Sequence, residues 1–477
     1  MRPLIQEVDT SANPEMLCEQ LAGCTGLILL RTGRFDDDRS RYSFVVAEPF
    51  LTFRSSGSRC MVRIAGASDE VQFGNPWRLL DVLMSRFELL DEIDLPFPLG
   101  GCFGYWGYDL KNFVEPRLNR TAVNDLELPD CHVGFYDSLV VFDHRLNRSW
   151  IVSTGLRPDG SRDRAAAESR AAHWARLLHS AANAHPHSSA VESQAEAPIR
   201  SNLSREQFVA LVRRAQEYIH AGDIYQVNLA HRLQSETTRA AWDYYLRLAD
   251  LSPAPYAAFL DCGEFQLISS SPELFLRLSG GHIQTRPIKG TRPRSPDPLR
   301  DAQLSYELQT SSKELAELVM ITDLLRNDLG KICVYGSVHV PELVRLERFA
   351  HVQHLISTVE GQLRPEVTHF AAFASCFPGG SVTGAPKIRA MEIIDELEPV
   401  TRGPYTGSIG YLGFNRESQL NIAIRTAILR GHDVYFHAGA GIVADSDPEA
   451  EYDETISKAG GFMASMAPRQ TAVLKNA

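Results

Sequence analysis

Short strand-like runs that end in turn residues recur along this chain, and only a few segments are long and periodic enough to be helices. Residues 133–142 and 265–268 are such runs, in the first and second halves. Residues 274–278 and 283–285 flank Gly280-Gly281, a pattern typical of a β-hairpin. Antiparallel strands with a few long helices between them predict an α+β fold.

Length and composition suggest a globular protein of more than one part. A chain of 477 residues is too long for one simple core, and its 44% hydrophobic content is ordinary. A stretch rich in Ala, Ser, His, Glu and Pro lacks periodicity and predicts a linker or long loop over residues 181–203. This predicts an N-terminal half over residues 1–180 and a C-terminal half over 204–469.

Charge and cysteine content restrict the partners and the compartment. The formal net charge of −11 argues against sequence-independent binding to nucleic acid. The eight cysteines show no Cys-x-x-Cys spacing, so we expect reduced thiols in a cytoplasmic protein. We find no signal-peptide pattern and no apolar run of membrane-spanning length, so no membrane partner is expected.

Local sequence marks the start of three long helices. Ser204 and Gln207 form a capping-box pattern, as do Ser311 and Glu314. Asp447 is the expected N-cap of the last helix, with Pro448 in its first turn.

Lys289 follows the predicted hairpin, within Pro287-Ile288-Lys289-Gly290-Thr291. The Pro and the Gly predict that the chain leaves the sheet there, which would give the lysine a fixed direction. A desolvated lysine amine can act as a nucleophile near neutral pH. A surface lysine in a turn is the alternative that the local sequence leaves open.

Carboxylates on two helices predict a cation site. Glu317 lies in an apolar sector of a helix over residues 311–329, where a carboxylate needs a partner. Glu451, Glu454 and Lys458 share one face of the last helix. Mg²⁺ prefers oxygen ligands of this kind. A solvated acidic face with a Glu454–Lys458 ion pair is the alternative.

Five motifs occur together in a fixed order. They are PIKGT at 287–291, DLLRND at 323–328, PGGSVTGAPK at 378–387, GSIGY at 407–411 and GAGIVADS at 439–446. Together they resemble the chorismate-utilising enzymes, which include component I of aminodeoxychorismate synthase and of anthranilate synthase. The resemblance implies two mainly antiparallel sheets packed together, with helices outside.

Two positions indicate which branch of this family the chain resembles. Lysine at position 289 is typical of aminodeoxychorismate synthase, whereas anthranilate synthase has alanine there. Isochorismate and salicylate synthases carry a lysine base at the position of Gln226, and glutamine cannot act as that base. Anthranilate synthase component I is the alternative enzyme, and a non-catalytic regulatory subunit that binds chorismate or tryptophan is the alternative outside catalysis.

The activity implied is amination of chorismate at C4 to 4-amino-4-deoxychorismate through a covalent Lys289 intermediate, for 4-aminobenzoate and folate synthesis. The resemblance assigns catalysis to Lys289, Glu273 and His354. It assigns Mg²⁺ binding to Glu317, Glu454, Glu314 and Glu451. It assigns substrate binding to Arg425, Lys458, Gly439, Gly441, Thr383 and Tyr405.

Two further expectations concern partners. The chain has no glutaminase pattern, so a separate glutamine amidotransferase subunit is expected to supply ammonia. The family's tryptophan pocket falls on Thr32, Ser40, Pro255 and Tyr256, and the sequence leaves open whether tryptophan binds there.

Overall fold

The computed structural model describes residues 2–32, 41–90, 95–184, 198–349 and 352–466. The strands of these residues are β1 Leu4–Val8, β2 Ile28–Arg31, β3 Tyr42–Val46, β4 Leu51–Ser56, β5 Arg59–Ile64, β6 Glu70–Phe73, β7 Gly101–Trp106, β8 Cys131–Tyr136, β9 Ser138–Asp143, β10 Arg148–Ser153, β11 Arg200–Ser201, β12 Gln226–Glu236, β13 Tyr256–Asp261, β14 Gln266–Ser271, β15 Leu274–Ser279, β16 His282–Arg286, β17 Ile288–Pro293, β18 His339–Arg348, β19 Val352–Gln362, β20 Gly384–Ala385, β21 Ser408–Gly413, β22 Glu417–Asn421, β23 Thr426–Arg430 and β24 Asp433–Ile442.

The α-helices of the same residues are α1 Pro14–Gln20, α2 Pro76–Ser85, α3 Lys111–Val114, α4 Arg164–Asn183, α5 Arg205–His220, α6 Ala241–Leu251, α7 Pro298–Thr310, α8 Ser312–Gly330, α9 His369–Cys376, α10 Lys387–Leu397, α11 Pro448–Lys458 and α12 Gly460–Met466. No helix in these ranges is long and apolar enough to cross a membrane. All eight cysteines are free thiols.

The strands form two antiparallel sheets of 12 strands each. The first runs β1-β10-β9-β3-β2-β13-β14-β23-β24-β12-β11, with β20 also on β12. The second runs β17-β19-β16-β15-β22-β21-β7-β8-β4-β5-β6, with β18 also on β19. In the first sheet β2 pairs with β13, and in the second β7 pairs with β21. The two halves of the sequence therefore share both sheets.

Aromatic side chains fill the space between the sheets. Phe44 of the first sheet meets Tyr411 of the second edge-on, with ring centroids 5.1 Å apart. Phe103 stacks on the same tyrosine at 5.2 Å. A separate apolar cluster, which includes Trp174 and Phe462, packs α1, α4, α6 and α12 against the first sheet. The predicted α+β architecture, with two packed sheets and helices outside, is confirmed.

The predicted helix starts are largely confirmed. Ser204 and Gln207 make both hydrogen bonds of a capping box, and the carboxylate of Asp447 accepts two backbone N–H groups. Ser311 accepts from the N–H of Glu314, as expected. The reciprocal bond is missing because the Ser311 N–H donates to a carbonyl of α7, so only half of that box forms.

The prediction that the chain leaves the sheet at Pro287 is wrong. Residues 288–293 form β17, which continues along the same edge of β19 that β16 occupies. Pro287 interrupts the ladder, since it has no N–H, and Gly290 forms a bulge with a φ of 64°. The direction of the Lys289 side chain is therefore fixed by its place in a strand, beside a bulge.

The predicted linker lies mostly outside the described residues, which end at 184 and resume at 198. Helix α4 extends to Asn183, and β11 pairs with β12 immediately after the gap. The extent of the linker between these two elements stays a prediction.

A buried ion pair joins several loops of the C-terminal half. Arg402 is 2% exposed and donates to the Glu398 carboxylate from Nε at 2.8 Å and from Nη2 at 2.6 Å. Its Nη1 donates to the Val382 carbonyl and to the Thr406 hydroxyl, at 3.0 and 3.2 Å. Its Nη2 also donates to the Asn228 carbonyl at 2.8 Å. One side chain thus fixes β12, the loop before β20, the end of α10 and the turn before β21.

Replacing Arg402 by methionine is expected to destabilise the protein by about 3–5 kcal/mol, because the Glu398 carboxylate would stay buried without its cation. Urea-induced unfolding measures the change. The matched control is Arg389→Met, whose ion pairs with Asp223 and Glu392 lie at the surface and should contribute less than about 1 kcal/mol. Equal losses in the two variants would contradict the role given to Arg402.

Candidate active site

Lys289 lies where β17, α8 and the first sheet meet. Its amine is 3.7 Å from Oε2 of Glu317, and both side chains are only 13% exposed. A Cβ atom added to Gly441 of β24 would lie 3.6 Å from the Lys289 amine and would collide with Nε2 of Gln226. Glycine at 441 therefore allows the Gln226 amide and the Lys289 amine to lie close against the sheet.

Glu273 lies directly before β15 and is 5% exposed. Burial raises the pKa of Glu273 to about 7, although the Ser381 hydroxyl, the Lys289 ammonium and the Ile288 N–H favour its charged form. A carboxyl group with this pKa can both give and take a proton near neutral pH. Ser381 was not identified from the sequence, although it lies in one of the five motifs.

His354 of β19 is buried and pairs with Thr291, the residue that follows the Gly290 bulge. Its Nδ1 lies 2.9 Å from the Thr291 hydroxyl, and its ring packs against Phe349. Burial and the neighbouring Arg425 guanidinium lower the pKa of His354 to about 4, so the ring is neutral at neutral pH. The histidine holds the bulge that orients Lys289.

Each of the four predicted metal ligands has a cation beside it. Glu317 faces Lys289 at 3.7 Å, Glu314 faces Arg292 at 3.4 Å, Glu451 faces Lys313 at 3.7 Å and Glu454 faces Lys458 at 2.7 Å. Burial raises the pKa of Glu317, and the carboxylates of Glu314 and Glu454 raise it further. The carboxylates of α8 and α11 therefore lie near each other across the site.

These carboxylates suit Mg²⁺ by their chemistry, since it prefers oxygen ligands. They do not converge on one point: no three acidic, histidine or cysteine side chains of the described residues are arranged to hold a metal ion. The positive charge between them is supplied by lysine and arginine.

Arg425 is a cation of the site for which the described residues provide no hydrogen-bond or ion-pair partner. No hydrogen bond or ion pair of its guanidinium is found within the described ranges, and burial lowers the pKa of Arg425. Its φ of 48° places it in the left-handed region, which is uncommon for a residue with a side chain. An unpaired, half-buried guanidinium is suited to an anionic ligand.

Four other predicted substrate-binding residues, Lys458, Tyr405, Gly439 and Gly441, lie in or against β24. The Lys458 amine donates to the Gly439 carbonyl at 3.0 Å, and the Tyr405 ring stacks on His437. A Cβ added to Gly439 would be 2.8 Å from the Tyr405 hydroxyl, so glycine at this position allows the hydroxyl to approach the strand closely. The Thr383 hydroxyl, in contrast, donates to carbonyls of its own loop.

The predicted tryptophan pocket is a separate cavity between the sheets. Thr32, Pro255 and Tyr256 line it together with Tyr42 and Asn421. Ser40 lies outside the described residues. Tryptophan binding in this cavity stays a prediction.

We expect a pH dependence of stability from Glu273. The pKa of Glu273 is about 7 in the folded protein and exceeds the ordinary value of 4.5. Its contribution to the free energy of unfolding is therefore fully present below about pH 4.5 and is lost as the pH rises through 7. Between pH 5 and 8 the wild type should lose roughly 1–3 kcal/mol relative to Glu273→Gln, at about 1.4 kcal/mol per pKa unit.

Urea-induced unfolding at several pH values measures this difference, and Glu264→Gln controls for the loss of an exposed carboxylate. A difference between wild type and Glu273→Gln that does not change with pH would contradict the raised pKa.

Comparison with known proteins gives the family. A family model described as chorismate binding enzyme matches residues 36–464. The chain is 40% identical over 425 residues to anthranilate synthase component 1 of Acetivibrio thermocellus, covering 88% of this chain and 86% of that protein. It is 40% identical over 447 residues to aminodeoxychorismate synthase component 1 of Escherichia coli (strain K12), covering 93% and 94%.

The structure agrees with these sequence matches. It superposes on the crystal structure of anthranilate synthase component I from Streptococcus pneumoniae TIGR4 with a TM-score of 0.78 at 30% identity, covering 91% of this chain and 94% of that one. The resemblance inferred from the five motifs is confirmed, and the chain belongs to the family of chorismate-binding enzymes.

Proposed function

We propose that this chain transfers ammonia to C4 of chorismate and forms 4-amino-4-deoxychorismate. The relatives named above carry two different names at 40% identity, so overall similarity does not choose between them. The observation that carries the proposal is Lys289, whose largely buried amine lies 3.7 Å from Glu317, beside Gly441, and whose charge acts on Glu273, a carboxyl group with a pKa of about 7. Anthranilate formation is the second candidate.

Two displacements replace one difficult one in this reaction. The neutral Lys289 amine forms a bond to C2, the ring double bonds shift, and the C4–O bond breaks. Glu273 gives its proton to the departing hydroxyl, which leaves as water, and then takes the proton that the new C2–N bond releases. Ammonia adds at C4, the double bonds shift back, and Lys289 leaves with the bonding electron pair and the proton that Glu273 returns. One ammonia is consumed and one water is released.

Charged side chains would bind the two carboxylates of chorismate. Arg425 has no hydrogen-bond or ion-pair partner to give up among the described residues, so it can bind a carboxylate at little cost. Lys458 already reaches the wall of the site through the Gly439 carbonyl. Tyr405 is held against His437 and presents its hydroxyl beside Gly439.

We propose Mg²⁺ as the cofactor, held by Glu317 and Glu454 with Glu314 and Glu451 beside them. When bound, the ion supplies positive charge that anchors a substrate carboxylate. With Glu317 and Glu454 bound to the ion, their present partners Lys289 and Lys458 would contact substrate groups instead. The Lys289 amine would then no longer be paired with Glu317.

Glu317→Gln and Glu454→Gln should each weaken Mg²⁺ binding at least about tenfold, because each replaces a carboxylate ligand by a neutral amide and so removes a negative charge. Isothermal titration with MgCl₂ in the presence of chorismate measures the affinity. Glu449→Gln removes a carboxylate from the exposed side of α11, where Glu449 pairs with Arg205, and should bind Mg²⁺ like the wild type. Wild-type affinity in both site variants would refute the assignment.

The names of the relatives describe them as component 1, which implies a second component in those proteins. For this chain we propose a glutamine amidotransferase subunit as the ammonia source in the cell and folate synthesis as the use of the product. A high concentration of ammonium salt at mildly alkaline pH replaces that subunit in an assay.

The purified chain, incubated with chorismate, MgCl₂ and ammonium chloride, should form 4-amino-4-deoxychorismate, identified by mass spectrometry and retention time. Lys289→Ala should lower this rate at least about 100-fold while chorismate and Mg²⁺ still bind, since only the nucleophile is removed. Lys331→Ala, which removes an exposed amine that pairs with Asp328, is the matched control.

Formation of fluorescent anthranilate would instead support the second candidate function. Unchanged turnover in Lys289→Ala would exclude the covalent step. Chorismate binding without any product would favour the regulatory subunit.

A further inference from the structure

The side chain of Tyr405 is held in the site by contacts of its ring. Tyr405 is 5% exposed, and its ring stacks on the imidazole of His437 with centroids 5.1 Å apart and planes 12° apart. The guanidinium carbon of Arg402 lies 5.7 Å from the centroid of the same ring. No hydrogen bond of the Tyr405 hydroxyl is found among the described residues. The direction of the hydroxyl therefore depends on what packs against the ring.

The Tyr405 hydroxyl lies on the face of β24 that Lys289 approaches. A Cβ added to Gly439 would lie 2.8 Å from the hydroxyl, and one added to Gly441 would lie 3.6 Å from the Lys289 amine. Because these glycines are two positions apart in one strand, both directions point to the same face, about 7 Å from each other. Burial raises the pKa of Tyr405, so the hydroxyl keeps its proton at neutral pH and can donate a hydrogen bond to a carboxylate.

His437 lies in the same strand, two positions before Gly439, and is 4% exposed. Burial and the neighbouring guanidinium groups of Arg232 and Arg402 hold the pKa of His437 well below its ordinary value, so the ring is neutral at neutral pH. No hydrogen bond of this ring is found in the described part of the chain, and its Nε2 is buried. An imidazole without charge and without a hydrogen bond contributes the flat face of its ring.

Both rings come from backbone that is fixed by hydrogen bonds. His437 pairs with Arg232 in the ladder between β12 and β24. The Tyr405 N–H donates to the Arg402 carbonyl at 3.1 Å, and the Tyr405 carbonyl accepts from the Thr406 hydroxyl at 2.6 Å. The stacked pair therefore joins the turn before β21 to the strand that carries Gly439 and Gly441.

We propose that His437 is a positioning residue, which fixes the Tyr405 hydroxyl against β24 and thereby strengthens the binding of chorismate. The role rests on the substrate binding proposed above. It goes beyond that proposal because it assigns part of the affinity to a side chain that acts through Tyr405. It does not depend on which product is formed.

The test measures chorismate binding by isothermal titration with MgCl₂ present and ammonium salt absent, so that no amination occurs. Tyr405→Phe and His437→Leu should each weaken binding at least about tenfold, because one removes the hydroxyl and the other removes the flat ring that directs it. The double variant should bind about as weakly as Tyr405→Phe alone, because side chains that act as a unit give non-additive losses.

Two further variants serve as controls. His437→Phe keeps a flat ring and loses no hydrogen bond, so it should bind chorismate within about twofold of the wild type and should not lower the thermal unfolding temperature. His432→Leu removes an exposed histidine from the turn before the same strand and should bind chorismate like the wild type.

Unchanged affinity in His437→Leu would exclude the role. A loss in His437→Phe equal to that in His437→Leu would assign the effect to an imidazole nitrogen and not to the stacked ring. Losses that multiply in the double variant would show that His437 acts independently of Tyr405. In these three cases the wild type still binds chorismate and the proposed function stands, whereas a wild type that binds no chorismate would refute both.

Discussion

The walls of this active site depend on a single saturated guanidinium. Arg402 uses its five N–H groups on Glu398, Asn228, Val382 and Thr406, which come from four separate segments. Thr383 follows Val382 and Tyr405 precedes Thr406, so two predicted substrate-binding residues are fixed by their neighbours' bonds. Because these segments are already fixed, they need not rearrange when substrate binds.

The charges around Lys289 are close to balance before any ligand is present. Four carboxylates face four cations, and the pairs are Glu317–Lys289, Glu314–Arg292, Glu451–Lys313 and Glu454–Lys458. Arg425 adds one further positive charge. A ligand with two carboxylates would therefore leave the site negative by one unit. A divalent cation that binds together with such a ligand would make the net charge of the site positive again. This is the physical argument for binding chorismate and Mg²⁺ together.

The sequence predicted features that are determined locally. The capping box at Ser204 and the N-cap at Asp447 depend on residues within one helical turn, and both form. Features that depend on the rest of the fold were not predictable. The Glu314 carboxylate does not complete its capping box because the N–H of Ser311 is already bonded to α7. Residues 288–293 stay in the sheet because β19 is long enough to pair with β16 and β17 in succession.

The sequence indicated which residues come together at the site, but not which polar atoms there lack a hydrogen-bond partner. The motifs assigned Lys289, Glu273 and Glu317, and the structure brings them together. Among the described residues, Oε1 of Gln226 and Oδ1 of Asn228 are buried without a hydrogen-bond partner. The sequence identified Gln226 only as a position without a lysine base and did not single out Asn228. A missing hydrogen bond is not visible in a sequence, because it depends on every neighbour of the side chain. The signal that could have drawn attention to them is two amides at alternate positions of a strand that also has Val227 and Leu229.

The two candidate products differ in which nucleophile reaches C2 of the ring. In the proposed amination the Lys289 amine, which lies beside Gly441, bonds to that carbon. Alanine at this position would remove that amine and leave attack at C2 to a small nucleophile. Because the chain is 40% identical to a relative of each name, most of its residues do not decide between the two reactions. In the proposed function, the choice of product therefore depends on Lys289.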